Sequence, residues 1–298
     1  MRLGGGRDTV PLANAMVVLH HVTRENAGPV DSTHTDARGR YRIELRNPDS
    51  TGAYIVSVWY DSIAYVSSPI IGVGGRPVVH VDDIVTFATT VDAPPIHLTR
   101  RLATVARATD AGTREVLEIL ELQNAGPTTR ITRDTLRPTW AGRVPAHTGQ
   151  FRAGEGDISA EAMSFRHDSV VVFAPIGPGQ PKQLSYAYTV AGGTRTFVLP
   201  IDQPTAEVNL LVEDTAATVR APKLESRGIQ AIEQRQFAAY RAGPLAAGDR
   251  VEIELPAGKF RAEMLWPYVK WVLAGVMLAA LIWALKKKPS VVGHQSSV

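Results

Sequence analysis

The side chains that could do chemistry in this 298-residue chain are eight histidines and a few clustered carboxylates. His20 and His21 are adjacent, so a β-strand would turn them to opposite faces and only one could enter a given site. His34 and His80 could approach that site from a neighbouring strand, with the aspartates at 82–83 nearby. None of these positions has the ligand spacing of a zinc site. We therefore predict no metal site and no cofactor.

A second group of polar residues lies within 155–166, a stretch that reads as a loop or a poorly defined excursion. Glu155, Asp157 and Glu161 could hold calcium or act as an acid–base pair, but nothing in the sequence fixes the distances between them. We expect a solvated loop here. His167 and Asp168 are interpreted as a turn before a strand.

The motifs of common catalytic sites are absent from the sequence. The chain has no HExxH helix and no GxSxG elbow, and its glycine runs at 4–6 and 72–75 lack the lysine or helix of a phosphate-binding loop. It contains no cysteine, which excludes disulfides, thiolate metal sites and cysteine nucleophiles. Its formal charge of +3 is spread along the chain, which argues against nucleic-acid binding. We predict no catalytic residue.

One apolar segment, residues 265–285, has the length of a transmembrane helix. Its last part reads WVLAGVMLAALIWAL, without a charged residue. A bilayer-spanning helix needs about 20 apolar residues, so the sequence predicts a single membrane pass. Aromatic and lysine side chains typical of membrane interfaces flank the span. They are Trp266, Tyr268, Lys270 and Trp271 at its start, and Lys286, Lys287 and Lys288 at its end.

Small residues recur at four-residue spacing within this segment. Gly275 and Ala279 form one such pair, and Ala280 and Ala284 form another. This spacing lets two helices approach closely in lipid. It predicts a helix-packing face, although a passive anchor gives the same pattern.

The lysines after the span predict that residues 286–298 form a short cytoplasmic tail. The bulk of the chain would then be periplasmic or extracytoplasmic, on a bacterial cell membrane. Met1 to Val10 contains no apolar signal region. Either the true start lies upstream, a signal was removed, or the protein is tail-anchored and faces the cytoplasm. We favour an incomplete or processed N-terminus.

Before this segment the chain shows strand patterns rather than helix patterns. Tyr41, Ile43 and Leu45 alternate with charged residues, which indicates a half-buried strand. The other predicted strands of the first part are 16–22, 54–60, 78–85 and 96–98. Those of the second part are 102–108, 116–123, 139–144, 169–174, 183–190, 196–201, 207–213, 218–221, 229–240 (with a possible break) and 250–255. Residues 116–122 and 229–240 are also compatible with short helices.

The first third of the chain resembles the carboxypeptidase regulatory-like domain, a transthyretin-like member of the immunoglobulin-like sandwiches. The matching residues are Pro11, Leu12, Ala15 and Val17 in a strand, and Thr35, Asp36, Gly39 and Tyr41 in a turn and the strand after it. The resemblance implies that the aspartate caps the turn, that the glycine takes a positive φ and that the tyrosine fills the core. It implies no zinc ligand and no peptidase activity. The family's opening strand should lie just before Arg7, but the chain offers only Met1 to Gly6 there and no strand pattern, which is why we favour residues missing upstream.

These patterns predict an all-β protein with two immunoglobulin-like β-sandwich domains followed by one C-terminal transmembrane helix. The predicted segments are a carboxypeptidase regulatory-like sandwich at 1–100, a second sandwich at 101–260, the helix at 265–285 and the tail at 286–298.

The predicted function is that of a non-catalytic, membrane-anchored scaffold or accessory subunit. Its expected partner is an integral-membrane complex, respiratory or photosynthetic for example, contacted through the helix and a sandwich surface. The alternatives are a surface module that binds peptide or glycan through exposed aromatic residues, and a hydrolase with its site at 150–168. Trp59, Tyr60, Tyr65 and Trp140 are the aromatic candidates, and we expect them to lie in the core.

Overall fold

A computed structural model describes residues 2–5, 8–49, 51–92, 95–110 and 112–256. The predicted transmembrane helix at 265–285, with its packing and anchor residues, and the tail at 286–298 lie outside the described residues. Within the described ranges, no helix is long and apolar enough to cross a membrane.

The described part of the chain is all-β, as predicted. Its first strands are β1 Arg2–Gly5, β2 Asp8–Pro11, β3 Met16–Val22, β4 Ala27–His34, β5 Ala53–Tyr60, β6 Ile63–Val66, β7 Val85–Phe87 and β8 Thr89–Thr90. The next are β9 Ile96–Val105, β10 Thr113–Asn124, β11 Thr129–Arg130, β12 Trp140–Arg143, β13 Gly149–Ala153, β14 Met163–Arg166 and β15 Ser169–Val172. The last are β16 Lys182–Ala191, β17 Thr196–Pro200, β18 Thr205–Val212, β19 Thr218–Arg220, β20 Glu225–Ile232, β21 Arg235–Ala242 and β22 Arg250–Glu254. A single 3-10 turn, Ala160–Ala162, is the only helical element in the described ranges.

A small hydrophobic core lies on one face of the antiparallel sheet β4-β3-β5-β6. Val17 lies opposite Val58 and Leu19 opposite Val56, and all four side chains are buried. Successive side chains of a strand point to opposite faces, so the residues between these four point away from the core. This alternation creates the outer surface described below.

Two strand predictions of this region are wrong, although the burial pattern predicted for one of them, 41–45, is right. Residues 41–45 alternate between half-buried and exposed as predicted, and their apolar side chains pack on the small core. They are not a strand, because no described neighbour pairs with their backbone. Of the predicted strand 78–85, only its last residue belongs to a strand, β7. The segment before Arg7, where the sequence suggested that no strand was present, forms β1.

The turn after Thr35 has the geometry expected from its sequence. The Asp36 carboxylate accepts hydrogen bonds from the backbone N–H of Arg38 at 2.8 Å and of Arg40 at 2.9 Å. Gly39 has a φ of 71°, a backbone angle that residues with a Cβ rarely adopt. The Thr35 hydroxyl donates to the carbonyl of Leu12 at 2.6 Å and ties the turn to the connection between β2 and β3.

Three aspartates in this region have lowered pKa values for the same reason. The backbone N–H of Arg40 lowers the pKa of Asp36, that of Thr51 lowers the pKa of Asp49, and that of Thr89 lowers the pKa of Asp61. A carboxyl whose pKa falls on folding stabilises the fold at pH values above its pKa in the unfolded chain, which is 3.8 here. This stabilisation is lost as the pH drops and the carboxyl is protonated.

We therefore expect the thermal midpoint to fall as the pH is lowered from about 5 to about 2. Asp61→Ala should lower the midpoint at neutral pH and make the acid-induced loss smaller. Glu44→Ala, which removes an exposed carboxylate of the same region, should leave the acid-induced loss unchanged. Circular dichroism melts at several pH values measure both effects. An acid profile of the Asp61 variant as steep as that of the wild type would contradict the assignment.

A larger hydrophobic core belongs to the seven-stranded sheet β13-β16-β10-β9-β18-β21-β20. Two three-stranded sheets, β12-β15-β14 and β17-β22-β19, contribute side chains to the same core. Strand β9 crosses the predicted domain boundary between residues 100 and 101, and its first residue, Ile96, already belongs to the larger core.

Two ambiguous segments of this region are strands. Residues 116–122 lie within β10, where buried and exposed positions alternate. Residues 229–240 are divided between β20 and β21. The predicted loop at 155–166 ends in β14, so its last four residues are a strand rather than a loop.

Candidate interaction surface

The candidate histidines do not form a metal site in the described ranges. His20 and His21 point to opposite faces, as predicted: the ring of His21 stacks on Tyr54 on the core side, with 4.7 Å between centroids. His20 Nε2 lies 2.8 Å from the Ser57 hydroxyl on the outer side. No group of three or more histidine, aspartate or glutamate side chains among the described residues is arranged to hold a metal ion.

Two of the candidate carboxylates, Glu155 and Glu161, line an open depression. The depression has a volume of about 490 Å³, and its lining includes Glu155, Ser159 and Glu161 but no histidine. The Asp157 carboxylate accepts the backbone N–H of Gln183 at 2.9 Å, which fixes the segment to β16. The backbone N–H of Glu161 itself lowers the pKa of that residue. A general acid needs a raised pKa, so Glu161 is not poised for that role.

A polar cluster that the sequence did not reveal lies inside the larger core. Arg101 donates to the two carboxylate oxygens of Glu118, from Nε at 2.6 Å and from Nη2 at 3.1 Å. Tyr188 donates to Glu118 at 2.7 Å and Tyr186 at 3.2 Å. The third guanidinium nitrogen, Nη1, donates to the carbonyl of Pro200 at 2.6 Å.

This cluster is closed to solvent, since Arg101, Glu118, Tyr186 and Tyr188 are each at most 2% exposed. Burial would lower the pKa of Arg101, but the Glu118 carboxylate reverses that effect and raises it. Burial, followed by the same carboxylate, raises the pKa of both tyrosines. A substrate cannot reach these groups, so their role is to join β9, β10 and β16 inside the core.

The outer face of the small sheet is the candidate interaction surface, which we call the Trp59 face. Its residues are Met16, Val18 and His20 of β3, Ile55, Ser57 and Trp59 of β5, and Val66 of β6. Ser57 lies opposite Val18 on one side and Val66 on the other, so one row of side chains crosses three strands.

Three large side chains of the Trp59 face are open to solvent. Trp59 is 64% exposed, Val66 62% and Met16 51%. Val17 and Val58 are partners in the antiparallel register, so the next positions, Met16 and Trp59, lie across from one another. The polar groups at its centre, His20 and Ser57, satisfy each other by their hydrogen bond. The surface is therefore apolar in character and carries no carboxylate.

The outer face of the large sheet has a different chemistry. Exposed ion pairs cross it, among them Arg100 with Glu121 at 3.0 Å and Arg152 with Glu115 at 3.3 Å. On its strand β10, the large apolar side chain Leu117 is 40% exposed. Such exposed ion pairs are typical of a surface that remains in contact with solvent.

The aromatic candidates are divided between core and surface. Trp140 is buried, as predicted, and donates from Nε1 to Gln203 at 2.9 Å. Tyr60 and Tyr65 are half-buried, and the Tyr65 hydroxyl donates to the carbonyl of Phe87 at 3.0 Å. The prediction is wrong for Trp59, because Trp59 follows the inward-facing Val58 and the strand turns it outward.

Comparisons with known proteins identify no family for this chain. No family model matches it, and no curated protein matches it. The M1 zinc metallopeptidase from Deinococcus radiodurans and a mutant of it each superpose with a TM-score of 0.35 at 9% sequence identity. That mutant with a bound Tyr-Ser-Ala substrate superposes with a TM-score of 0.33 at 10% identity. In each case 53% of this chain and 42% of the other chain are covered. A superposition this loose carries no argument about activity.

Proposed function

We propose that this protein is a non-catalytic, membrane-anchored accessory subunit that docks onto an integral-membrane complex through the Trp59 face. The segment at 265–285 anchors it, and its two immunoglobulin-like sandwiches lie on the outer side of a bacterial cell membrane. The observation that carries the proposal is an exposed tryptophan on an interior strand of the sheet, close to the β5–β6 turn.

The composition of the Trp59 face supports a protein as the occupant. Tryptophan and methionine are enriched at protein interfaces, whereas most charged residues are depleted from interface cores. Trp59 and Met16 lie side by side in one row across the sheet. Val66 lies in the neighbouring row, next to Ser57, and is also exposed. These side chains are also held by a sheet, so binding does not require the entropy loss of ordering a flexible loop.

The test compares two exposed positions in the full chain. Tagged wild type, Trp59→Ser and the control Leu136→Ser are extracted from membranes in mild detergent and purified. Leu136 is 87% exposed and lies outside the Trp59 face. We expect integral-membrane partners with the wild type and the control, and a loss of about tenfold or more for Trp59→Ser, because interface tryptophans often contribute about 2 kcal/mol or more. Equal recovery from all three, or no other polypeptide in any detergent, would contradict the proposal.

A second candidate function is supported by the same tryptophan. A flat, exposed indole beside the polar pair His20 and Ser57 also suits a sugar ring or an extended peptide. Binding of the detergent-solubilised full chain to peptidoglycan fragments or peptide arrays, lost in Trp59→Ser, would favour this alternative over the accessory subunit.

A further inference from the structure

Two histidines lie on the Trp59 face or directly beside it. His20 belongs to the face, and its Nε2 lies 2.8 Å from the Ser57 hydroxyl. His34, the last residue of the edge strand β4, is the register partner of Met16 in the antiparallel pair of β3 and β4. Side chains of such partners point to the same face of a sheet, so His34 lies on the side that carries Met16. His34 is exposed and His20 is half-buried.

Both histidines are close enough to Trp59 to be covered by the same partner. His34 is two strands from Trp59, with Met16 between them, and strands about 4.8 Å apart place it about 10 Å away. His20 pairs with Ile55, four residues before Trp59 in the neighbouring strand, which places it about 14 Å away at a rise of about 3.3 Å per residue. A standard interface covers about 800 Å² on each partner, a patch about 16 Å in radius. Docking on this face would therefore bury both imidazoles.

The strands beside the two imidazoles place no charged side chain next to them within the described ranges. The partners of His20 across the sheet are Pro29 of β4 and Ile55 of β5, and neither carries a charge. The neighbour of His34 on the same face of β4 is Ser32, which is also uncharged. Among the described residues, β4 pairs only with β3, so no further strand lies beside His34.

The charged groups around this sheet do not share the titration range of histidine. Those nearest to the two histidines along the chain are Arg24, Glu25, Asp31, Asp36 and Arg38, and Asp61 follows at the end of β5. Asp31 is the register partner of the core-facing Leu19, so it points to the opposite face from the histidines. Aspartate, glutamate and arginine ordinarily keep their charge between pH 5.5 and 7.5, whereas histidine changes its charge in this range. The third histidine of these strands, His21, points to the core side.

We propose that protonation of His20 and His34 releases the partner from the Trp59 face, so that docking depends on pH. This inference rests on the proposed docking function and concerns the same surface. A neutral imidazole can be buried against an apolar partner, and that of His20 keeps its hydrogen bond to Ser57. An imidazolium without a neighbouring carboxylate would lose its hydration on docking and gain no counter-ion.

The direction of the pH response follows from the protonation of the two states. The docked state holds fewer protons than the free state, so docking weakens as the pH falls. An ordinary histidine has a pKa of about 6.5, so its neutral fraction falls about tenfold between pH 7.5 and pH 5.5. Two histidines that must both be neutral would give up to about a hundredfold loss of docking over the same range.

Photo-crosslinking from position 66 at two pH values tests this inference. Val66 is 62% exposed on the Trp59 face, and a photoreactive amino acid there leaves Trp59 and both histidines in place. Full-length chains are irradiated in intact membranes at pH 7.5 and at pH 5.5. We expect at least tenfold less adduct with an integral-membrane polypeptide at pH 5.5, and recovery of the adduct on return to pH 7.5.

Two variants assign the pH response to the histidines. With His20→Gln and His34→Gln together, the ratio of the adduct yields at the two pH values should be near one, whatever the yield at pH 7.5. His97→Gln removes an exposed histidine of β9 in the large sheet and should keep the full pH response. Circular dichroism at both pH values verifies that the strands remain folded.

The outcomes separate failure of this inference from failure of the docking proposal. An adduct yield that is equal at both pH values, or larger at pH 5.5, would overturn the pH response and leave the docking proposal standing. No adduct at either pH would overturn both. A pH response that persists in the double glutamine variant would come from other groups and would also overturn this inference.

Discussion

Replacing Glu118 with glutamine should lower the free energy of unfolding by about 3–5 kcal/mol, the range for breaking a buried ion pair. The substitution keeps the shape of the side chain but leaves the Arg101 guanidinium charged and buried. It also removes the charged acceptor of Tyr186 and Tyr188, which both donate to Glu118. Urea unfolding of the full chain in detergent, followed by tryptophan fluorescence, measures the change.

Two controls separate burial of a charge from loss of a hydrogen bond. Glu254→Gln breaks an ion pair of similar length, 3.0 Å to Arg220, but both side chains are more than half exposed. It should cost less than about 1 kcal/mol. The double variant Arg101→Met with Glu118→Leu should be more stable than Glu118→Gln, because no unpaired charge remains. A Glu118 variant no less stable than the Glu254 variant would contradict the structural role of the cluster.

Gly142→Ala should destabilise the larger core by about 1–3 kcal/mol, the usual cost of overpacking. Gly142 is buried in β12, two residues after Trp140 and on the same face. A Cβ on Gly142 would lie 2.6 Å from Cζ2 of the Trp140 ring and would also contact Cη2. The ring is buried and hydrogen-bonded to Gln203, so it has little room to move.

A double-mutant cycle tests the cause of this loss. With Trp140→Leu in the background, the Gly142→Ala substitution should cost much less, because the atoms it meets are absent. The free energies of unfolding of the two single variants and the double variant give the coupling. Additive effects would mean that the indole ring is not what restricts position 142.

The sequence predicted burial well where apolar and charged residues alternate along one chain segment. The alternation at 41–45 placed Tyr41, Ile43 and Leu45 against the core correctly, but whether such a segment is a strand depends on a pairing partner from elsewhere in the chain. The turn at 233–234 was missed because Glu233 and Gln234 are neither glycine nor proline. The hairpin imposes their positive φ values instead.

The Glu118 cluster and the Trp59 face both depend on how residues that are distant in sequence pair in the sheets. Glu118 looks like an ordinary exposed charge, and its partner Arg101 is 17 positions away. Only the register of β9 and β10 brings the two together in the core. Tryptophan is a residue type common in cores, so its type alone suggested burial. Trp59 is exposed because Val58, beside it in β5, faces the core. In a strand whose residues are nearly all apolar, the sequence does not show which side chains face inward. The His20–Ser57 contact likewise requires the pairing of β3 with β5.

Site-specific photo-crosslinking at position 59 is the most direct test of the docking proposal. A photoreactive amino acid replaces Trp59 in one variant and Leu136 in another, and both full-length chains are irradiated in intact membranes. We predict a covalent adduct with an integral-membrane polypeptide from position 59 and none from position 136. No adduct at position 59, or the same adducts at both positions, would contradict a role for the Trp59 face in binding a membrane complex.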